Sequence, residues 1–371
     1  MTLKILHIAV ENFCGIPLEL VRAHRRFGHV SNLVTYIPSG RGYDDDLCLD
    51  YPLVGSPRVE ELKKIFKIGT WIREVKYGTQ DEEVSPVSAP GSIIERSFLR
   101  FRDVLWKRKA RKAINRWELF DYDIYHLEGG LGFLRSGEIV RELKARGKKI
   151  VTMYYGSDLR LRGIMPDVEN VSDIDLTIEY DHLKLYPKLK FVFLPIDVTR
   201  FPRIDPGERE GPVRIGHSPT RRELKGTTSV IRAVEEVSKH HDVELVLIEN
   251  LPYKQAIQLK ATCQVFIDQV GSTGGTGYGV SSVESMTMGI PTISDLAPDL
   301  AEFLPDHPFI LATPETLAKR MVPLVEDPNM RKLKGEEGRR WVEKNHHADR
   351  VAESMYALYR EMGWMGDMNQ Q

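Results

Sequence analysis

Short apolar runs alternate with helix-length amphipathic stretches along this chain, and the alternation occurs twice. In the first half, Leu3–Val10 and Ser31–Tyr36 are strand-like. They flank a helical stretch, Ile16–Phe27, closed by Gly28. Tyr122–His126, Lys149–Tyr154, Ile174–Glu179 and Leu189–Leu194 follow, with an amphipathic helix at Ser136–Arg146 ended by Gly147. Runs that stay apolar, bounded by Gly, Pro or Asp, fit strands buried on both faces of a parallel sheet. The second half repeats the pattern at Val213–Gly216, Val243–Ile248, Gln264–Gln269, Pro291–Ser294 and Phe309–Leu311. Between the first two of these, Val230, Ala233, Val234 and Val237 stand at helical spacing. Strand–helix–strand series predict doubly wound parallel sheets. With 371 residues the chain exceeds one ordinary core, so two such domains are expected. The Pro-, Gly- and charge-rich segment Ile196–Gly211 reads as the linker, and helices alone follow Pro314.

Charge and cysteine usage narrow the function classes. Lys and Arg total 52 against 53 Asp and Glu, so no global basic excess points to nucleic acid. Cys14, Cys48 and Cys263 form neither a metal-binding pair nor a disulfide framework, which fits a reducing compartment. The N-terminus reads as a first strand rather than a signal peptide, and no apolar run approaches the ~20 residues of a membrane span. A cytoplasmic protein, at most peripheral on the inner face of a membrane, is expected.

Basic charge is instead local. Arg96–Arg116 carries nine Lys or Arg and one acid, Asp103, interleaved with Phe98, Leu99, Phe101, Val104, Leu105, Trp106 and Ile114. Glu60–Tyr77 is a second basic amphipathic stretch. Either these are helices of the first domain with solvated faces, or they dock on anionic lipid or on an anionic acceptor.

Two loops carry the clearest chemistry. Gly271–Ser294 packs five glycines into nine residues before a short helix, so that bare amides and a helix N-terminus can face a phosphate or sugar hydroxyls. Its spacing is neither the dinucleotide nor the mononucleotide fingerprint. Within it, Ser281 and Glu284 have capping-box spacing. The carboxylate of Glu284 either closes that box or grips a vicinal diol such as a ribose. Gly216–Thr228 includes Ser218, Arg222 and Lys225 between a strand and a helix, two cations suited to an anion. Both loops follow strands, where open α/β sheets bind ligands.

These residues carry a resemblance. Thr276-Gly277-Tyr278-Gly279, followed by Glu284 and by Gly289-Ile290-Pro291, resembles the donor signature of family-4-type retaining glycosyltransferases. Lys225-Gly226, the Pro195–Phe201 junction, Cys14-Gly15-Ile16-Pro17, Tyr155-Gly156-Ser157-Asp158 and the helices around Tyr359 are similar to that family's segments. Thr276 stands where the family has Glu, and Tyr155 where it has His.

The resemblance implies a GT-B architecture: α/β, with two Rossmann-like domains facing across a cleft. Residues 1–195 would form the acceptor side, with a basic helical insertion at about 40–118. Residues 196–345 would bind the nucleotide sugar, and 346–371 would pack back toward the first domain. It implies transfer of a sugar from a nucleotide-diphosphate sugar to a hydroxyl acceptor with retention. Arg222 and Lys225 would stabilise the diphosphate, so no metal and no cofactor are required. Gly15, Ser218, Gly277, Tyr278, Gly279 and Glu284 would hold the donor. Asp158 would act catalytically beside the acceptor, with His126, Glu128 and Tyr155 as further acceptor-side candidates. Lys225→Ala and Glu284→Ala are each expected to weaken turnover without unfolding. A sugar-nucleotide-binding protein of weakened activity and a nucleotide-sugar epimerase are the alternatives. Asp173-Ile174-Asp175 is formally a metal-type Asp-x-Asp, but it lies in an apolar run and reads as structural.

Overall fold

The computed structural model describes residues 2–54, 93–156, 158–208, 210–271, 277–304 and 306–366. The stretch Glu60–Tyr77, Gly274, Gly275 and Thr276, and Ser157 lie outside them. The chain divides into two compact units, Met1–Val192 with Ala352–Gln371, and Phe193–Val351.

The first unit is a seven-stranded parallel sheet. Its strands are β1 (Lys4–Ala9), β2 (Val30–Thr35), β3 (Leu47–Cys48), β4 (Ile124–Glu128), β5 (Lys149–Tyr154), β6 (Ile174–Thr177) and β7 (Lys190–Phe191), ordered β3-β2-β1-β4-β5-β6-β7. Helices α1 (Ile16–Arg26), α2 (Ile93–Arg116) and α3 (Glu138–Ala145) belong to it. The sequence shows no parallel strand between residues 40 and 118. The structure adds β3, where Leu47 and Cys48 pair with Val34 and Thr35 at the sheet edge. Two residues are too few to leave an apolar run.

The basic stretch Arg96–Arg116 is helical, within α2. Trp106, Ala110, Ala113 and Ile114 face the core, while Phe101 and Val104 are 58% and 64% exposed. Trp106 Nε1 donates to Pro52 O at 2.7 Å. Part of the basic charge is balanced locally, because Lys107 and Arg111 both reach Glu138.

The second unit is a five-stranded parallel sheet of β8 (Val213–His217), β9 (Val243–Leu247), β10 (Val265–Ile267), β11 (Thr292–Ser294) and β12 (Ile310–Leu311), ordered β12-β11-β10-β8-β9. Its helices are α4 (Thr227–Val237), α5 (Tyr253–Lys260), α6 (Val280–Thr287), α7 (Pro298–Phe303), α8 (Leu317–Glu326) and α9 (Pro328–Asn345); α10 (Ala348–Glu361) then leads into the last segment of the first unit. Val230, Ala233, Val234 and Val237 bury the α4 stripe against Val213, Ile215, Val265 and Ile267, as their spacing predicts.

Both strand orders reverse direction at one point. In the first unit this lies between β1 and β4, and in the second between β8 and β10. The carboxyl ends of those strands are where such a sheet opens a crevice. Among the described residues, no helix is long and apolar enough to cross a membrane.

Candidate functional site

In the second unit the two predicted loops meet at the β8–β10 switch point. After β8 the chain makes a one-turn helix, Arg222–Lys225, then Gly226 at φ 66°, and enters α4. A side chain at Gly226 would strike Val270 O at 1.8 Å, so the close passage of this loop over the segment after β10 needs glycine. His217, at the end of β8, straps the elements together: its Nδ1 lies 2.8 Å from Ile267 O and its Nε2 2.9 Å from Thr227 Oγ1. Burial pushes its pKa below the ordinary histidine value, so it stays neutral.

Asp268, one residue past β10, is the hub. It is 1% exposed. Lys225 Nζ donates to its Oδ1 at 2.7 Å, while the Gly279 amide and the Ser282 hydroxyl donate to Oδ2 at 3.1 and 2.6 Å. Burial favours the neutral acid, but Lys225 and Ser282 outweigh it and hold the carboxyl below its ordinary pKa. Lys225 and the amide before α6 do form an anion site, and its occupant here is an internal carboxylate. The Gly279 amide, expected from the sequence to hold the donor, donates to Asp268 here. The Ser282 and Val283 amides turn back onto Gly279 O at 3.0 and 3.3 Å, and this end of α6 is the anion-favouring end of its dipole.

The other donor-side residues lie around this hub. Arg222 is half exposed and forks onto Glu249 at 2.9 and 2.5 Å. Ser218 Oγ donates to Ile248 O at 3.2 Å. Gly277 sits at φ 121°, where a Cβ would meet Asp295 O at 2.4 Å, so the loop is pressed against the segment after β11. The Tyr278 ring packs on Phe309, with centroids 5.2 Å apart, and near Trp341 and His346.

Glu284 departs from the sequence reading. The N-cap of α6 is Gly279, without a side-chain cap, so Ser281 and Glu284 form no capping box. Glu284 lies in the second turn, 5% exposed, and pairs with the 1% exposed Lys260 at 2.5 Å. The sequence gives no sign of Lys260, because a lone lysine at the end of α5 reads as solvated. Asp268 was hidden inside an apolar run, although an acid at a strand end beside a cation-bearing loop is a usable signal.

In the first unit the β1–β4 switch point carries the acceptor-side candidates. Gly15, at φ 79°, lets the chain turn into α1 and lies against the Tyr43 ring, which a Cβ would meet at 3.2 Å. Its close approach in the structure is to Tyr43. Asp158 accepts from the Tyr155 amide at 3.2 Å, sits 3.7 Å from Arg162 and abuts Gly129. Tyr155, Glu128 and His126 turn inward. Tyr155 Oη donates to Glu128 Oε2, and Glu128 Oε1 lies 2.6 Å from His7 Nδ1. Burial pushes the Glu128 carboxyl up to about 8, with the Tyr155 bond working the other way. His126 is fully buried against Tyr359. The sequence reading turns these three toward an acceptor; in the structure all three are buried, Tyr155 and Glu128 bonded to each other and His126 to Tyr359 through Nε2, with His126 Nδ1 left without a partner among the described residues. Asp173 and Asp175 fit the structural reading: Asp173 holds the Ile150 amide at 2.9 Å and pairs with Lys144.

No protein-family model matches the chain, and no curated protein is detectably related to it by sequence. Solved structures do match over nearly its whole length. An alpha-glucosyltransferase in complex with UDP and a 13-mer DNA superposes with TM-score 0.58 at 10% identity, over 97% of this chain and 99% of that one. The Candida albicans trehalose-6-phosphate phosphatase N-terminal domain gives TM-score 0.58 at 10% identity, over 96% and 98%. The glycosyltransferase SnogD from Streptomyces nogalater gives 0.50 at 15% identity, over 96% and 100%.

Proposed function

We infer function first from the fold, since the chain has the α/β architecture of two Rossmann-like domains found in GT-B glycosyltransferases. We propose that it is a glycosyltransferase that takes a nucleotide-diphosphate sugar and transfers the sugar, with retention, to a hydroxyl acceptor. The observation that carries this is the convergence of Lys225 and the N-terminal end of α6 on one point, Asp268, at the β8–β10 switch point. C1–O cleavage leaves charge on a diphosphate. Fixed cations and helix amides at this point stabilise that charge most as it develops, without a divalent ion. In this reading the diphosphate lies over the α6 N-terminus, beside Lys225, and Arg222 swings from the solvent-exposed Glu249 pair onto it. The likeness to a glucosyltransferase solved with UDP supports a nucleotide donor. Asp158, the least buried carboxylate of the first-unit cluster, is the acceptor-side group.

A second reading, a sugar-nucleotide-binding protein of weakened activity, is favoured by one specific feature. Both cations already have internal partners, Asp268 and Glu249. Incubation with UDP-, GDP- and ADP-sugars separates the two. Release of free nucleotide diphosphate with formation of an α-configured product from an α-configured donor supports the transferase. Saturable donor binding without release supports the binder, and an isomerised nucleotide sugar in the absence of acceptor supports an epimerase.

A further inference from the structure

Three histidines meet in the core of the first unit. His7 on β1 and His126 on β4 are register partners, their rings stacked with centroids 4.4 Å apart. His24, in the last turn of α1, places its ring 5.3 Å from His7 and 6.1 Å from His126. All three are 0% exposed.

Each ring is held by one nitrogen and leaves the other unused. His7 Nδ1 lies 2.6 Å from Glu128 Oε1, and His24 Nδ1 lies 2.6 Å from Tyr356 Oη. His126 Nε2 is bonded to Tyr359 Oη. Among the described residues, His7 Nε2, His24 Nε2 and His126 Nδ1 have no partner, although each is buried. One such orphan in a core is unusual, and three in adjoining side chains call for a common ligand. The three residues can each offer a ring nitrogen with all three atoms within 4.8 Å of one another.

We propose that His7, His24 and His126 bind one divalent first-row transition ion of the Zn2+ type through these unpartnered nitrogens. The chemistry of the donor set selects the ion: imidazole suits zinc and its neighbours, whereas calcium and magnesium ask for oxygen. The surroundings match how such sites are built, because a ligating histidine hands its other N–H to a carboxylate or another oxygen. Glu128 is placed to accept it from His7, Tyr356 from His24 and Tyr359 from His126. Zinc–nitrogen bonds of about 2.0–2.1 Å require nitrogens roughly 3.4 Å apart, so loading draws the rings together and splays the stacked pair. The closed surroundings make the role structural. The ion ties β1, β4 and α1 together, and its outer partners Tyr356 and Tyr359 anchor α10. It is separate from the proposed donor chemistry, which involves none of these side chains.

Metal analysis of the full chain tests this. The protein, purified without chelator and supplemented with Zn2+, should retain one ion per chain after gel filtration, and removal of the ion should lower the melting temperature. Replacement by Co2+ should give the visible absorption of a low-symmetry nitrogen site, while Mg2+ should leave melting unchanged. His24→Asn and His126→Asn should abolish retention. Tyr359→Phe, which keeps the ring and the packing, should retain the ion about 10–100-fold more weakly. Replacing the surface pair His240 and His241 with Gln should change nothing. Failure of the supplemented protein to retain any ion would overturn the proposal. So would Zn2+ affinity and a Co2+ spectrum unchanged in Tyr359→Phe, a variant that does not depend on the histidine substitutions folding.

Discussion

Lys225 Nζ lies 2.7 Å from Asp268 Oδ1, and the other oxygen of the same carboxylate takes the Gly279 amide and the Ser282 hydroxyl. The internal acid thus stands where the loop chemistry anticipates a phosphate. Asp268→Asn should keep the shape, weaken these bonds and cost about 1–3 kcal/mol of stability in urea unfolding. It also releases the charge of Lys225. Inorganic pyrophosphate should therefore raise the melting temperature of the variant more than that of the parent. An equal or smaller rise would separate Lys225 from diphosphate binding.

Glu284→Ala should unfold the second unit more readily, contrary to the expectation from sequence. The substitution leaves the Lys260 ammonium buried without its carboxylate, a loss of about 3–5 kcal/mol. Lys260→Met combined with Glu284→Leu should recover most of that loss, because neither desolvated charge remains. A denaturant midpoint for Glu284→Ala within error of the parent would show that the pair is not buried in solution.

Arg222→Ala should be nearly silent in stability, below about 1 kcal/mol, since its bidentate pair with Glu249 is solvent-exposed. If the guanidinium moves onto the leaving diphosphate, kcat should fall by about two powers of ten with little change in donor KM. A rise in donor KM with kcat unchanged would instead make Arg222 a ground-state contact.

The second unit should lose stability as pH falls from 7 to 5 through His346. Its Nδ1 lies 2.8 Å from Leu194 O and burial lowers its pKa to about 4. The folded state therefore binds fewer protons than the unfolded state between that value and the ordinary 6.5. Stability is complete above pH 6.5 and declines on acidification toward 4. The loss attributable to this residue is about 2 kcal/mol at pH 5, and His346→Gln should remove it from the difference between pH 7 and pH 5 urea midpoints.

Helix α2 should bind anionic vesicles through Phe101, Val104 and the basic residues around them. Partition should fall steeply with salt, and Phe101→Ser with Val104→Ser should lower it by on the order of tenfold. Equal partition to neutral and anionic vesicles would remove the membrane role.

The fold, and the strand ends where the candidate site lies, are legible in the sequence for one physical reason. Strands buried on both faces must be apolar along their length, and the loops that follow them must carry whatever polar chemistry the sheet supports. Ile5, Val213 and Ile267, all completely buried, and the loops bearing Arg222, Lys225 and Gly277–Gly279 were found this way. What the tertiary structure decided is which charges meet. Side-chain partners from different elements share no local pattern, so nothing near Lys225 names Asp268, nothing near Glu284 names Lys260, and nothing near His7 names His24, His126 or Glu128. Those pairings exist because the parallel register sets strand ends side by side. Burial then leaves each polar group no partner but the one opposite.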